Sequence, residues 1–294
     1  MESVVWNSMP KLARPLLLVA FEGWFDAGTC ATGAVEWIRS HTEAETFAHI
    51  DPEEFFDFQE NRPAIEKTLT GERVLAWPSV HCHAVHAAPP HDLVLVAGVE
   101  PRMRWRAFCE AVVEVAVATE CQMVVTLGAT AAGVPHSRPA AVKGSAANGR
   151  LAERLGLTAP TYQGPTGIIG TLHDMLDRAS LPVISLRVGV PHYVAGPANP
   201  KGTRALLAEL QHVTGVETHH GKLDDDVARW ESRVSEATQR DPEIAAYIEQ
   251  LETDADRAAV ESLPSGDDLS EEIQKFLRSR NPDDDAADTP PSDS

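Results

Sequence analysis

Glu22 and Asp26 stand four residues apart at the end of an apolar run, Leu16 to Phe21, in the stretch Glu22-Gly23-Trp24-Phe25-Asp26-Ala27-Gly28. Two carboxylates facing one crevice can work as a proton donor and acceptor pair or hold a magnesium ion. Asp26 can equally cap the helix expected to begin near Thr29, and a cap plus a buried hydrogen bond accounts for both residues without catalysis. Further along, Thr130 lies in Gly128-Ala129-Thr130-Ala131-Ala132-Gly133, where a hydroxyl beside free helix amides would hold an anion or a ligand carboxylate. No lysine closes that segment as in a Walker loop, and its glycine spacing differs from the dinucleotide fingerprint, so a tight strand-to-helix turn is the plainer expectation. A third turn, Gly164-Pro165-Thr166-Gly167, opens a helix expected over Ile168 to Ala179.

Histidines offer further chemistry. His192-Tyr193 falls in a loop stiffened by Pro191, Pro197 and Pro200, and His192 is a possible base. No Gly-x-Ser-x-Gly pattern supplies a nucleophile for it, so a hydrolase triad is not supported. His81-Cys82-His83, followed by His86 and His91, has the side-chain types of a zinc site. In an extended segment His81 and His83 would align while Cys82 pointed away, and Pro89-Pro90 marks a loop. A histidine-rich surface loop is therefore expected, with no metal and no cofactor.

The elements that must carry these residues follow from periodicity. Over the first 213 residues short apolar runs alternate with helix-period segments, the pattern of an α/β protein. Strands are predicted at Leu16–Phe21, Thr46–Ile50, Arg73–Trp77, Leu93–Ala97, Met123–Leu127 and Val183–Val190. Helices are predicted at Thr29–Ser40, Trp105–Thr119, Gly149–Leu155, Ile168–Ala179 and Gly202–His212. Ala107, Ala111, Val115 and Ala118 place an apolar stripe on the second helix. Corners between strands and helices gather at the carboxyl ends of an open sheet, where ligands bind. The expected crevice thus collects Glu22, Gly23, Trp24, Asp26, Gly28, Gly128, Thr130, Gly133, Gly164, Thr166, Gly167, His192 and Tyr193. Phe55, Phe56 and Phe58 need cover, by a loop folded over the core or by a subunit contact, the former being the default.

Beyond Gly221 the composition shifts to charged helix formers. Three parts are expected: a core domain over 1–223, a helical extension over 224–280 and a disordered acidic tail over 281–294. Val227, Trp230, Val234 and Ala237, then Ile244, Ile248, Leu251 and Ala255, trace two amphipathic helices, with Asp241 before Pro242 as a cap. A third short helix is expected over Leu269 to Arg278. These helices either lie back on the core or form an arm that meets another subunit.

Charge narrows the classes. Of the net charge of −19, residues 224–294 contribute −14. An acidic chain of this kind is not expected to bind nucleic acid, whose affinity rests on clustered lysine and arginine. No membrane span or signal core is apparent, and a cytoplasmic location is expected. Cys30, Cys82, Cys109 and Cys121 are far apart in apolar contexts and are expected to remain free.

Taken together, Glu22 to Gly28, Asp57-Phe58 with Asn61-Arg62-Pro63, Gly98-Val99-Glu100-Pro101 with Trp105, Leu127-Gly128-Ala129, Gly164-Pro165-Thr166-Gly167, and Pro191-His192-Tyr193 before Asn199-Pro200 resemble the proteasome assembly chaperone family, its actinobacterial branch above all. The resemblance runs over about residues 12–213 and extends to an added helical tail. It implies a three-layer α/β/α sandwich with a mixed twisted sheet, similar to nucleoside phosphorylases and hydrolases in fold without implying their activity. It also implies homo-oligomers, trimers among them, and proteasome subunits as partners. Some relatives dock through a C-terminal hydrophobic-Tyr-x motif, which Thr289 to Ser294 lacks. Three functions follow as expectations: a non-enzymatic assembly factor, an enzyme or binder acting on a nucleoside-like or phosphorylated molecule at the crevice, and an acidic tail that binds a basic partner.

Overall fold

Six of the seven residues from Leu16 to Glu22 are buried, so this strand has no solvent face and must lie in the middle of a sheet covered on both sides. The computed structural model describes residues 3–68 and 70–261. In chain order the elements are β1 (Val4–Trp6), β2 (Leu16–Glu22), α1 (Cys30–Ser40), β3 (Ala44–Ile50), β4 (Ala64–Lys67), β5 (Arg73–Ala76), β6 (Val80–Val85), β7 (Leu93–Val99), α2 (Trp105–Ala118), β8 (Met123–Ala132), β9 (Val142–Ala146), α3 (Gly149–Leu155), α4 (Ile168–Arg178), β10 (Val183–Pro191), α5 (Pro200–Thr214), α6 (Asp224–Thr238) and α7 (Pro242–Glu261).

Eight strands form one mixed sheet in the order β1-β3-β6-β7-β2-β8-β10-β9, and β4 pairs with β5 in a separate ribbon. The four central strands, β7, β2, β8 and β10, are parallel, while the flanking pairs are antiparallel. One face packs on α2 and α4 around Phe108, whose ring meets Phe21 and Phe55 edge-on at 5.4 Å in each case. The other face packs on α1, α3 and α5. The result is an α/β/α sandwich with helical additions.

Several local expectations change. The strand predicted at Arg73–Trp77 belongs to the ribbon, not the main sheet. Residues 80–85, expected as a histidine-rich loop, form β6. Alternation explains this: Cys82 is buried on one face, whereas His81 and His83 share the other with His49, ring centroids 6.2 Å apart along the row. Among the described residues no group of three or more histidine, cysteine or acidic side chains is placed to hold a metal.

Strand β8 runs five residues past Leu127, so Gly128-Ala129-Thr130 is strand, not a turn that opens a helix. The α2 stripe lies on Phe108, Ala111, Val112 and Val115, and Ala118 is exposed, because the large Phe108 rather than the alanines sets the buried face. Phe55 and Phe56 fold into the core beneath their own loop.

In the extension, α6 buries Trp230, Val234 and Thr238, and Ala237 faces solvent. Asp241 accepts hydrogen bonds from the backbone of Glu243 (2.9 Å) and Ile244 (3.3 Å), the expected cap of α7. Helix α7 lies back over the core: Ser137 bonds Glu252, and Arg138 holds Asp256 with two hydrogen bonds of 2.7 and 2.8 Å. The expected helix at Leu269–Arg278 and the tail at 281–294 lie outside the described residues. No helix among the described residues is long and apolar enough to cross a membrane.

Candidate functional site

Parallel strands joined by right-handed crossovers deliver their carboxyl ends to one rim, and here the rim is assembled around the loop after β2. Glu22 accepts from the Glu100 amide after β7 (3.0 Å), and Phe25 accepts from Ala129 of β8 (2.8 Å). Gly28 donates to Ala195 (2.6 Å) and accepts from Asn199 (2.9 Å), both beyond β10. A Cβ on Gly23 would fall 2.5 Å from the Glu100 carboxylate, and one on Gly167, at the start of α4, 3.9 Å from the same group. Five distant stretches of sequence therefore share this rim.

Their chemistry differs from their proximity. Asp26 is 6% exposed and accepts from the Ala31 amide (2.7 Å), the Thr32 amide (3.3 Å) and the Thr32 hydroxyl. Its carboxylate fastens the first turn of α1, and burial raises its pKa above the ordinary range against those three hydrogen bonds. Glu22 is exposed, and its charge adds to the rise in the Asp26 pKa. His192 bonds the Ala132 carbonyl at 3.1 Å. The Tyr193 hydroxyl accepts from the His136 amide and bonds His136 Nδ1, both at 2.9 Å, and His136 Nε2 meets Ser235 of α6 at 2.9 Å. Tyr193 thus links the rim to the extension.

The glycines fit backbone and ring packing. Phe25 lies directly over Gly128, where a Cβ would stand 1.9 Å from the ring. A Cβ on Gly133 would stand 3.8 Å from Leu251 of α7, whereas Gly164 has φ +149 and lies beside Tyr162, whose hydroxyl donates to Pro165 (2.9 Å). Replacing Gly128 by valine is expected to displace Phe25 and lower the unfolding free energy by about 2–3 kcal/mol. Urea denaturation checks this; an unchanged midpoint would show that the ring does not close this position.

A cavity of about 950 Å³ lies beside these loops, under the last turns of α7. Of the thirteen residues expected at the crevice, only Thr130 lines it, along with Phe25, His136, Lys143, Arg187, Lys201 and Trp230. Arg187 and Lys143 carried a readable signal: each interrupts an otherwise apolar or small-residue strand with a cation. His173 of α4 bonds Thr126 at 2.8 Å, and burial together with the Arg187 charge lowers its pKa to about 4.

A mixed sheet between two helical layers, with a C-terminal helix lying back over the core, defines the structural class, and comparison with known proteins gives the family. The PAC2 family model matches residues 20–238. A PAC2 family protein from Streptomyces avermitilis is 39% identical, with a TM-score of 0.74 over 79% of this chain and 99% of that one. The proteasome-assembly chaperone homologue of Mycobacterium tuberculosis is 37% identical, with a TM-score of 0.71 over 79% of this chain and 99% of that one. The fold is shared with PbaB of Pyrococcus furiosus, an archaeal proteasome activator, at 14% identity and a TM-score of 0.65, over 81% and 99% of the two chains. No curated protein matches. The chain belongs to the PAC2 family.

Proposed function

We propose that this protein is a non-enzymatic assembly factor that acts as a homo-oligomer on proteasome subunits in the cytoplasm, with the rim around Trp24 as its contact surface. The observation that carries the reading is Trp24 itself, 94% exposed on a loop whose backbone is pinned on either side. A fully solvated indole on a fixed backbone is the kind of side chain that anchors protein interfaces, because it loses little conformational entropy and buries a large area. Tyr162, 70% exposed, stands on the adjoining loop before Gly164. The names of the Mycobacterium and Pyrococcus proteins, a proteasome-assembly chaperone homologue and a proteasome activator, support the choice of partner. The candidate proton carriers favour no reaction, since Asp26 is committed to α1 and Glu22, Asp26 and His192 do not line the cavity.

Native mass spectrometry of the full chain alone, and then with proteasome α- and β-subunits, tests both halves. A homo-oligomer and a complex with one subunit type are expected. Trp24→Ala should weaken the complex at least about tenfold while changing stability by less than about 0.5 kcal/mol. A monomer, or no complex with any subunit, would overturn the reading.

A further inference from the structure

Arg187 and Lys143 are direct partners across the antiparallel pair β10 and β9, so their side chains leave the same face of the sheet. Like charges placed opposite one another on neighbouring strands destabilise the pair. A compensating carboxylate is the usual remedy, and among the described residues neither cation has one. The other two cations of the same cavity are paired, Arg138 with Asp256 and Lys201 with Glu231. Arg187 is also poorly satisfied by neutral groups: Nη2 reaches Ser145 Oγ at 3.4 Å, and the buried Nε has no hydrogen-bond partner. Arg187 is half-buried, and leaving its enclosed Nε–H unpaired costs free energy that an anion in the cavity would recover.

The surroundings define the size and character of that anion. Both cations line the cavity of about 950 Å³, within the range of small-molecule sites. Thr130, on the neighbouring strand, adds a hydroxyl to the lining, and the walls are largely apolar, with Phe25, Ala132 and Val134 on the sheet side and Ala255 of α7 above. Asp256, at the same cavity, is held by Arg138.

We propose that this cavity is a binding site for a small organic anion, one phosphate or carboxylate group on a compact apolar body, with Arg187 and Lys143 gripping the charged group and α7 closing over the remainder. The site adjoins the Trp24 rim through Phe25, but its occupancy does not depend on the assembly role. It would link a small molecule to the seating of α7.

Isothermal titration calorimetry of the full chain tests it, with inorganic phosphate, phenyl phosphate and benzoate as probes. Phenyl phosphate or benzoate is expected to bind, and whichever does identifies the head group. Arg187→Gln and Lys143→Gln should each weaken that binding at least about tenfold. Arg233→Gln, on the exposed side of α6, should leave it unchanged. Arg187→Met, which keeps the side-chain length, guards against loss of fold: circular dichroism and melting temperature should match the parent while binding is lost. Binding that survives both charge removals, or no binding by any probe at millimolar concentration, would overturn the proposal. Phosphate bound as tightly as phenyl phosphate would remove the apolar half of the site.

Discussion

Trp230→Ala is expected to lower the unfolding free energy by about 3–5 kcal/mol, the range for truncating a buried large aromatic. Trp230 is 4% exposed on α6, and its ring meets His136 edge-on at 6.5 Å. His136 in turn bonds Tyr193 on the rim and Ser235 on α6, so the indole fills the centre of the joint between extension and core. Removing it leaves a cavity there and exposes the polar network to water. Urea denaturation followed by both fluorescence and circular dichroism should show one transition shifted to lower concentration. Two transitions, with the larger one unmoved, would mean that residues 224–261 fold independently of the sheet.

The second large effect is one of pH. His173 keeps its ring neutral in the folded protein down to a pKa of about 4, whereas the unfolded chain titrates at the ordinary histidine value near 6.5. Between those values the unfolded state binds a proton that the native state does not, so stability falls as pH falls through this window. The contribution is complete above about pH 6.5 and lost near pH 4. Its size is about 2 kcal/mol, smaller than the full shift would give because the ring is only partly enclosed. His173→Gln retains a hydrogen-bonding group toward Thr126 and should flatten the stability profile between pH 6.5 and 4. A profile with the same slope in parent and variant would place the titrating group elsewhere.

Much of the sheet was legible because apolar runs that bury both faces are unambiguous: Leu16, Leu93, Met123 and Val183 each open a strand where periodicity puts one. The strands that escaped notice are those with a polar or exposed face. His81 and His83 hide β6 behind a loop-like composition, and Lys143 and Gly144 do the same for β9. The convergence of the corners on a single rim also followed from the α/β pattern, since the topology of parallel crossovers dictates it.

The chemistry of that rim did not follow. Asp26 has the side chain of an acid catalyst and the contacts of a helix cap, and only coordinates separate the two. The glycines suggested an anion cradle, but Gly128 serves the ring of Phe25. The opposed pair Arg187 and Lys143 depends on the register of two strands 44 residues apart in the chain, which no local spacing encodes. The way α7 returns over the cavity rests likewise on single contacts, such as Arg138 with Asp256, that lie outside any periodic pattern.

All four cysteines are enclosed, and burial raises each thiol: Cys82 and Cys109 to about 12 and Cys121 to about 11, with Cys30 held up further by the Asp26 charge. Sulfur chemistry proceeds through the thiolate, which these pockets withhold. The four cysteines of the folded protein are accordingly expected to be insensitive to the redox poise around them. Thiol-directed alkylating reagents should reach them only after the sheet has come apart.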